Sequence, residues 1–154
     1  MKVLISGYQA RDFASFCDAV ATGIAQNDPL STSRYFGFDL DSFIDCLHGG
    51  FLGAPPYDIE VEDGQVMVDA LGYAALEQYC RQMLAIIDAG GRGLVKADYR
   101  SWYEDVLRDA LEGNGPTLLD LIGEAIEVSP ASLTLRGKDQ AVLAQWIGLP
   151  RPAS

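Results

Sequence analysis

Between Tyr35 and Cys80 the chain has no lysine or arginine, and it has a single histidine, His48, over its whole length. It has three cysteines (Cys17, Cys46 and Cys80), with no CxxC pair and no other metal-type spacing. Each absence excludes something. One histidine rules out any mechanism that needs two. An odd number of unpatterned cysteines argues against a disulfide framework or a zinc site, and predicts reduced, mostly buried thiols. No apolar run approaches the ~20 residues of a membrane span. The opening "MKVLISGYQARDF" turns polar after three or four apolar residues, too soon for a secretory signal core. A cytoplasmic chain is therefore expected. There is no repeat, no low-complexity segment and no clustering of glycine and proline. With 154 residues, 49% of them hydrophobic, the chain has enough apolar material for one folded domain with a core of its own.

What the chain has is acid. Twenty-two Asp and Glu against eleven Lys and Arg give a net charge of −11 and a pI near 4.3. Such a chain repels nucleic acid and anionic membrane, because binding either requires phosphates to be neutralised. The cation-free stretch carries Asp39, Asp41, Asp45, Asp58, Glu60, Glu62, Asp63, Asp69 and Glu77. A run of this kind can be no more than a solvated surface that aids solubility. It also creates a negative face that attracts a basic partner.

The pattern predicts an α/β fold. "KVLISG" (2–7) reads as a buried strand, and residues 10–25 place Phe13, Phe16, Cys17, Val20 and Ile24 at helical spacing. "QNDPLSTSRYFG" is a polar loop. A second helix is expected from about Asp39 to His48: Leu40, Phe43, Ile44 and Leu47 form one stripe, with Asp39 as N-cap. "YDIEVEDGQVMVD" (57–69) alternates around Asp63-Gly64 and predicts a β-hairpin. Helices are expected over 73–89, 99–112 and 117–127, a strand over 131–137, and a short last helix in "DQAVLAQWIG". "GLVKADY" is a strand or a linker, and the Pro-rich tail, 151–154, is expected to fray. Trp102, Tyr103 and Trp146 read as core residues with no assigned function.

The segment "YFGFDLDSFIDCL" (35–47) supports four chemistries. "FDLDSF" is similar to the opening motif of haloacid-dehalogenase-type phosphatases. That chemistry needs its aspartates at the carboxyl end of a buried strand, and "STSRYFG" is not one. Asp39, Asp41 and Asp45 form a carboxylate set for an oxygen-liking metal, but helical rotation turns Asp39 away from the other two, and the calcium-loop pattern is missing. Cys46 and His48 are two apart on a helix, face different directions and do not make a nucleophile–base pair. The fourth chemistry is recognition: Asp41 and Asp45, at i and i+4, put two carboxylates on one helix flank. Their counterpart is a cluster of Arg, Lys and His that grips phosphate. The same residues also fit the ordinary wet side of a helix.

"YFGFDLDSFIDCL" resembles the central motif of the barstar family, intracellular inhibitors of barnase-type ribonucleases. There a tyrosine-rich loop with a glycine leads into a helix reading roughly Y-Y-G-x-N-L-D-A-L-W-D-C-L. Tyr35, Gly37, Leu40, Asp41, Asp45, Cys46 and Leu47 match it in register. "VLISGYQARDFASF" also resembles the family's first strand, glycine and first helix, so the likeness covers about residues 1–50. Asp39 replaces the family's asparagine and Ile44 its helix tryptophan, and the chain is longer than a typical member. The resemblance implies a small parallel sheet with helices packed on it, forming one domain over 1–150. Residues 1–92 would be the family core and 93–150 a C-terminal elaboration. It also implies a partner-binding face of Tyr35, Gly37, Asp39, Asp41 and Asp45, with no catalysis, metal or cofactor. Asp45 would occupy the substrate phosphate position of a basic secreted or toxin ribonuclease, and Asp41 would hold a second basic group at the rim. Barnase and barstar are themselves the standard example of electrostatic steering and interface hot spots. A small metal-dependent phosphoryl-handling enzyme using the same aspartates is the alternative, and a scaffold with no single partner a third.

Overall fold

The structure, a computed structural model, describes residues 1–27, 37–49, 55–91 and 97–150. The loop that carries Tyr35, most of "GLVKADY" and the tail at 151–154 lie outside these residues. The described residues form a mixed α/β fold with six helices and one four-stranded sheet. The strands are β1 (Lys2–Ser6), β2 (Asp58–Glu62), β3 (Ser132–Arg136) and β4 (Val142–Ile147), in that spatial order. β1, β2 and β3 are parallel, and β4 runs antiparallel to β3. Between β1 and β2 come α1 (Phe13–Asn27) and α2 (Leu40–Leu47). Between β2 and β3 come α3 (Gly64–Ala70), α4 (Tyr73–Asp88), α5 (Arg100–Leu111) and α6 (Leu118–Glu127).

The inward positions of the parallel strands alternate as sheet geometry requires: Val3 and Ile5, Ile59 and Val61, Leu133 and Leu135 are all buried. They share one core with Phe16, Val20 and Ile24 of α1, Phe43 and Leu47 of α2, and Leu76, Tyr79 and Cys80 of α4. The capping signals set the helix starts. Asp12 accepts a hydrogen bond from the Ser15 N–H at 2.8 Å ahead of α1, and Asp39 accepts one from the Ser42 N–H at 2.9 Å ahead of α2.

Two sequence expectations are corrected. The hairpin over 57–69 does not form. Asp63 does take the left-handed conformation of a turn (φ 53°, ψ 45°), but it leads from β2 into α3, not into a second strand. β2 is hydrogen-bonded to β1 on one edge and to β3 on the other, so no edge remains for a hairpin partner. The expected last helix is strand β4. Its partly buried positions, Ala144 and Trp146, alternate with exposed Leu143, Gln145 and Ile147. The free edge of β3 takes it up through a turn at Asp139 and Gln140, both at positive φ. The Trp146 indole lies on α6 at Gly123, where any Cβ would come within 2.2 Å of its Nε1.

Candidate functional site

The site is built around α2. Its inner face is fixed by Phe43, Cys46 and Leu47, all buried. Phe43 belongs to a run of edge-on rings that passes from the core to the surface. Phe16 and Phe13 each pack against Phe43, at 5.5 and 6.0 Å. Phe13 then meets Tyr79 at 5.1 Å, Tyr79 meets Tyr103 at 6.0 Å, and Tyr103 meets Trp102 at 5.0 Å. The run ties α2 through α1 and α4 to α5.

The N-terminus of α2 is held by polar contacts. The Tyr79 hydroxyl accepts a hydrogen bond from the Leu40 N–H at 2.9 Å, while its ring packs edge-on against Tyr103. An N–H of the first turn, which has no partner within its own helix, is thereby satisfied from α4. Burial pushes both phenols up, Tyr103 to about 12 and Tyr79 further, so both are neutral donors at physiological pH. Gly37 enters the helix at φ +95°, and a Cβ there would stand 2.8 Å from the Phe43 nitrogen. No other residue type fits both conditions.

The three aspartates of the segment occupy different environments. Asp39 is buried at 1% exposure. One carboxylate oxygen caps α2, and the other has no hydrogen-bond partner among the described residues. Asp41 is half-buried and lines one cleft with Tyr99, whose hydroxyl favours its charged form. Burial first, then the negative charges of Asp39 and Asp45, hold its carboxyl above the ordinary carboxylate value. Asp45 is exposed in the last turn of α2 and makes no ion pair among the described residues. Tyr35 lies outside the described residues.

Asp39 and Asp41 sit at the start of a helix, not at the carboxyl end of any of the four strands, where the phosphatase-type arrangement would require them. Among the described residues no three His, Cys, Asp or Glu side chains converge as a metal donor set. His48 closes α2: its Nδ1–H donates to the Ile44 carbonyl at 2.9 Å, near one of the helix's last carbonyls. All three cysteines are buried and free of disulfides, and burial pushes the Cys46 and Cys80 thiols to about 11, which leaves little thiolate at neutral pH. No helix among the described residues is long and apolar enough to cross a membrane.

Sequence reasoning missed the aromatic wall. Tyr103 is buried as expected, but Trp102 and Tyr99 are 43% and 39% exposed beside Asp41. Together with Leu40 they line a cleft of about 240 Å³. The available signal was the spacing of Tyr99, Trp102 and Tyr103 at i, i+3 and i+4, which puts three rings on one side of a helix start.

In comparisons with family models, curated proteins and solved structures, nothing matches this chain.

Proposed function

We propose that the protein is a non-catalytic inhibitor of the immunity type, which blocks the basic active site of a ribonuclease by presenting α2 where the substrate's phosphates would lie. The observation that carries this reading is Asp45. A carboxylate in the last turn of a helix opposes the helix dipole, at a cost of about 0.3–1 kcal/mol. Asp45 has no cation beside it to offset that cost among the described residues. A charge that weakens its own helix marks a position retained for something other than stability.

Asp41 stands one turn earlier on the same flank, and the buried face of α2 holds the helix rigid. Two carboxylates on a fixed support offer oxygens to the Arg, Lys and His groups that a nuclease uses to hold phosphate. The likeness of residues 1–50 to the barstar family and the parallel β1–β2–β3 sheet support the same reading. Gly37 then shapes the approach to the helix, Asp39 acts from beneath by fixing the first turn, and the resemblance assigns Tyr35 to the same partner face. The net charge of −11 speeds encounter with a basic partner.

The test is inhibition. Purified protein is titrated into a barnase-type ribonuclease and into nuclease activity recovered from the medium and lysate of the source organism. Wild type should abolish at least one such activity stoichiometrically, less effectively as salt rises, whereas Asp41→Ala/Asp45→Ala should not. If no ribonuclease responds while millimolar Mg²⁺ raises the melting temperature, the aspartates serve a phosphoryl-handling enzyme instead.

A further inference from the structure

The cleft beside Asp41 takes its aromatic wall from a part of the chain that the likeness over residues 1–50 does not reach. Its walls are the exposed rings of Tyr99 and Trp102, with Tyr103 behind them and Leu40 at the edge. One wall carries the Asp41 carboxylate. At about 240 Å³ it is smaller than the roughly 300–1,000 Å³ pockets that enclose metabolites and cofactors. Its scale is that of one side chain.

The chemistry of the walls selects that side chain. Aromatic faces attract a cation through the ring quadrupole, and Trp does so most strongly. The carboxylate supplies a charge-assisted acceptor. Among the described residues no lysine or arginine lines the cleft. Several described cations are engaged elsewhere: Arg81 with Glu77, Arg100 with Asp88, Arg108 with Asp105, and Lys2 and Arg136 with Glu60. The surrounding charge is negative, from Asp39 and Asp45 as well as Asp41. Between the two basic side chains, a planar guanidinium stacks on rings while its N–H groups reach a carboxylate, which an ammonium does less well.

The geometry points to a guanidinium-binding cleft formed by Asp41, Tyr99 and Trp102, which receives an arginine side chain of the basic partner. This deepens the inhibitor reading and rests on it for the identity of the partner. It gives α5 a role: the helix closes an aromatic wall around a carboxylate that would otherwise face open water.

The cleft can be tested without the partner. N-acetyl-arginine amide is titrated into the full chain, and the Trp102 indole N–H and the Leu40 and Asp41 amides are followed by two-dimensional NMR. N-acetyl-citrulline amide, the neutral isostere, is run in parallel. A saturable shift confined to these signals is expected with arginine and not with citrulline. Association should weaken roughly fivefold or more in Asp41→Asn and in Trp102→Leu, the latter followed on the amides. Tyr99→Phe keeps the ring that faces the cation and should bind about as well as wild type. Asp41→Asn serves as the second variant should Trp102→Leu rearrange α5. Equal shifts with citrulline, or arginine binding indifferent to Asp41→Asn, would overturn the proposal. Failure of the cleft and failure of the inhibitor reading are distinguishable. Ribonuclease inhibition that survives Trp102→Leu but not Asp45→Ala removes the cleft and leaves the inhibitor. Arginine binding with no ribonuclease inhibited does the reverse.

Discussion

The Tyr79 hydroxyl accepts the hydrogen bond of the Leu40 N–H, so a side chain from α4 caps a helix 39 residues earlier in the sequence. The contact fixes the start of α2 to the core, and the same Tyr79 ring packs edge-on against Tyr103 in the wall of the cleft. Tyr79→Phe keeps the ring packing and removes only the oxygen. It leaves the Leu40 N–H without that partner and should cost about 1–3 kcal/mol. Urea denaturation measures the loss. A variant as stable as wild type would show that water replaces the hydroxyl at this helix end.

Asp41 gives a pH dependence opposite in sign to that of a salt-bridged carboxylate. Its carboxyl is held above the ordinary 3.8 by burial and by Asp39 and Asp45, and the Tyr99 hydroxyl only partly opposes this. As pH rises from acid, the unfolded chain loses this proton first, at the ordinary value, while the folded chain retains it. The group's stabilising contribution is therefore complete below 3.8 and is lost as pH climbs through the raised value. Asp41→Asn should melt higher than wild type at pH 7, and the difference should shrink toward zero below the ordinary carboxylate range. Melting curves from pH 3 to 8 on both proteins check this.

Asp45→Ala should separate stability from function. It removes an anion from the last turn of α2 and introduces the best helix former, for a gain of a few tenths to about 1 kcal/mol. Ribonuclease inhibition should be lost in the same protein. A loss of stability on this substitution would point to a favourable contact for Asp45 within the chain.

Asp39 calls for two substitutions. Asp39→Asn keeps a carbonyl oxygen for the Ser42 N–H and replaces a buried charged oxygen that has no partner among the described residues. It should be neutral or stabilising. Asp39→Ala removes the cap and should cost about 1 kcal/mol. The order of melting temperatures, Asn at or above wild type and Ala below it, is the expected readout.

Gly37→Ala meets a positive φ and a backbone nitrogen 2.8 Å from the new Cβ. The strain should cost about 1–3 kcal/mol. Because it falls at the entry to α2, hydrogen exchange should show the first turn of that helix opening before the sheet does.

Much of the scaffold is legible in the sequence, because helix and inward-strand periodicity are local. The stripe of Leu40, Phe43, Ile44 and Leu47 predicts α2, and Asp39 predicts its first residue through the cap it makes. The site is less legible. The i, i+4 spacing puts Asp41 and Asp45 on one flank, but nothing local says that Tyr99 and Trp102, more than fifty residues on, come to stand beside Asp41.

By itself the sequence determined the acid balance, which is a count over the whole chain, and the buried stripes and the Asp39 cap, which depend on residues within about one helical turn of one another. The tertiary structure decided where local signals were shared between two outcomes. Asp63-Gly64 suits a hairpin or a helix entry, and occupation of both β2 edges selected the entry. "AVLAQWI" suits a helix or a strand, and the open edge of β3 with room at Gly123 for Trp146 selected the strand. Backbone hydrogen bonds at a sheet edge and ring packing over a helix start are made by segments distant in sequence, so no window of the chain contains both partners.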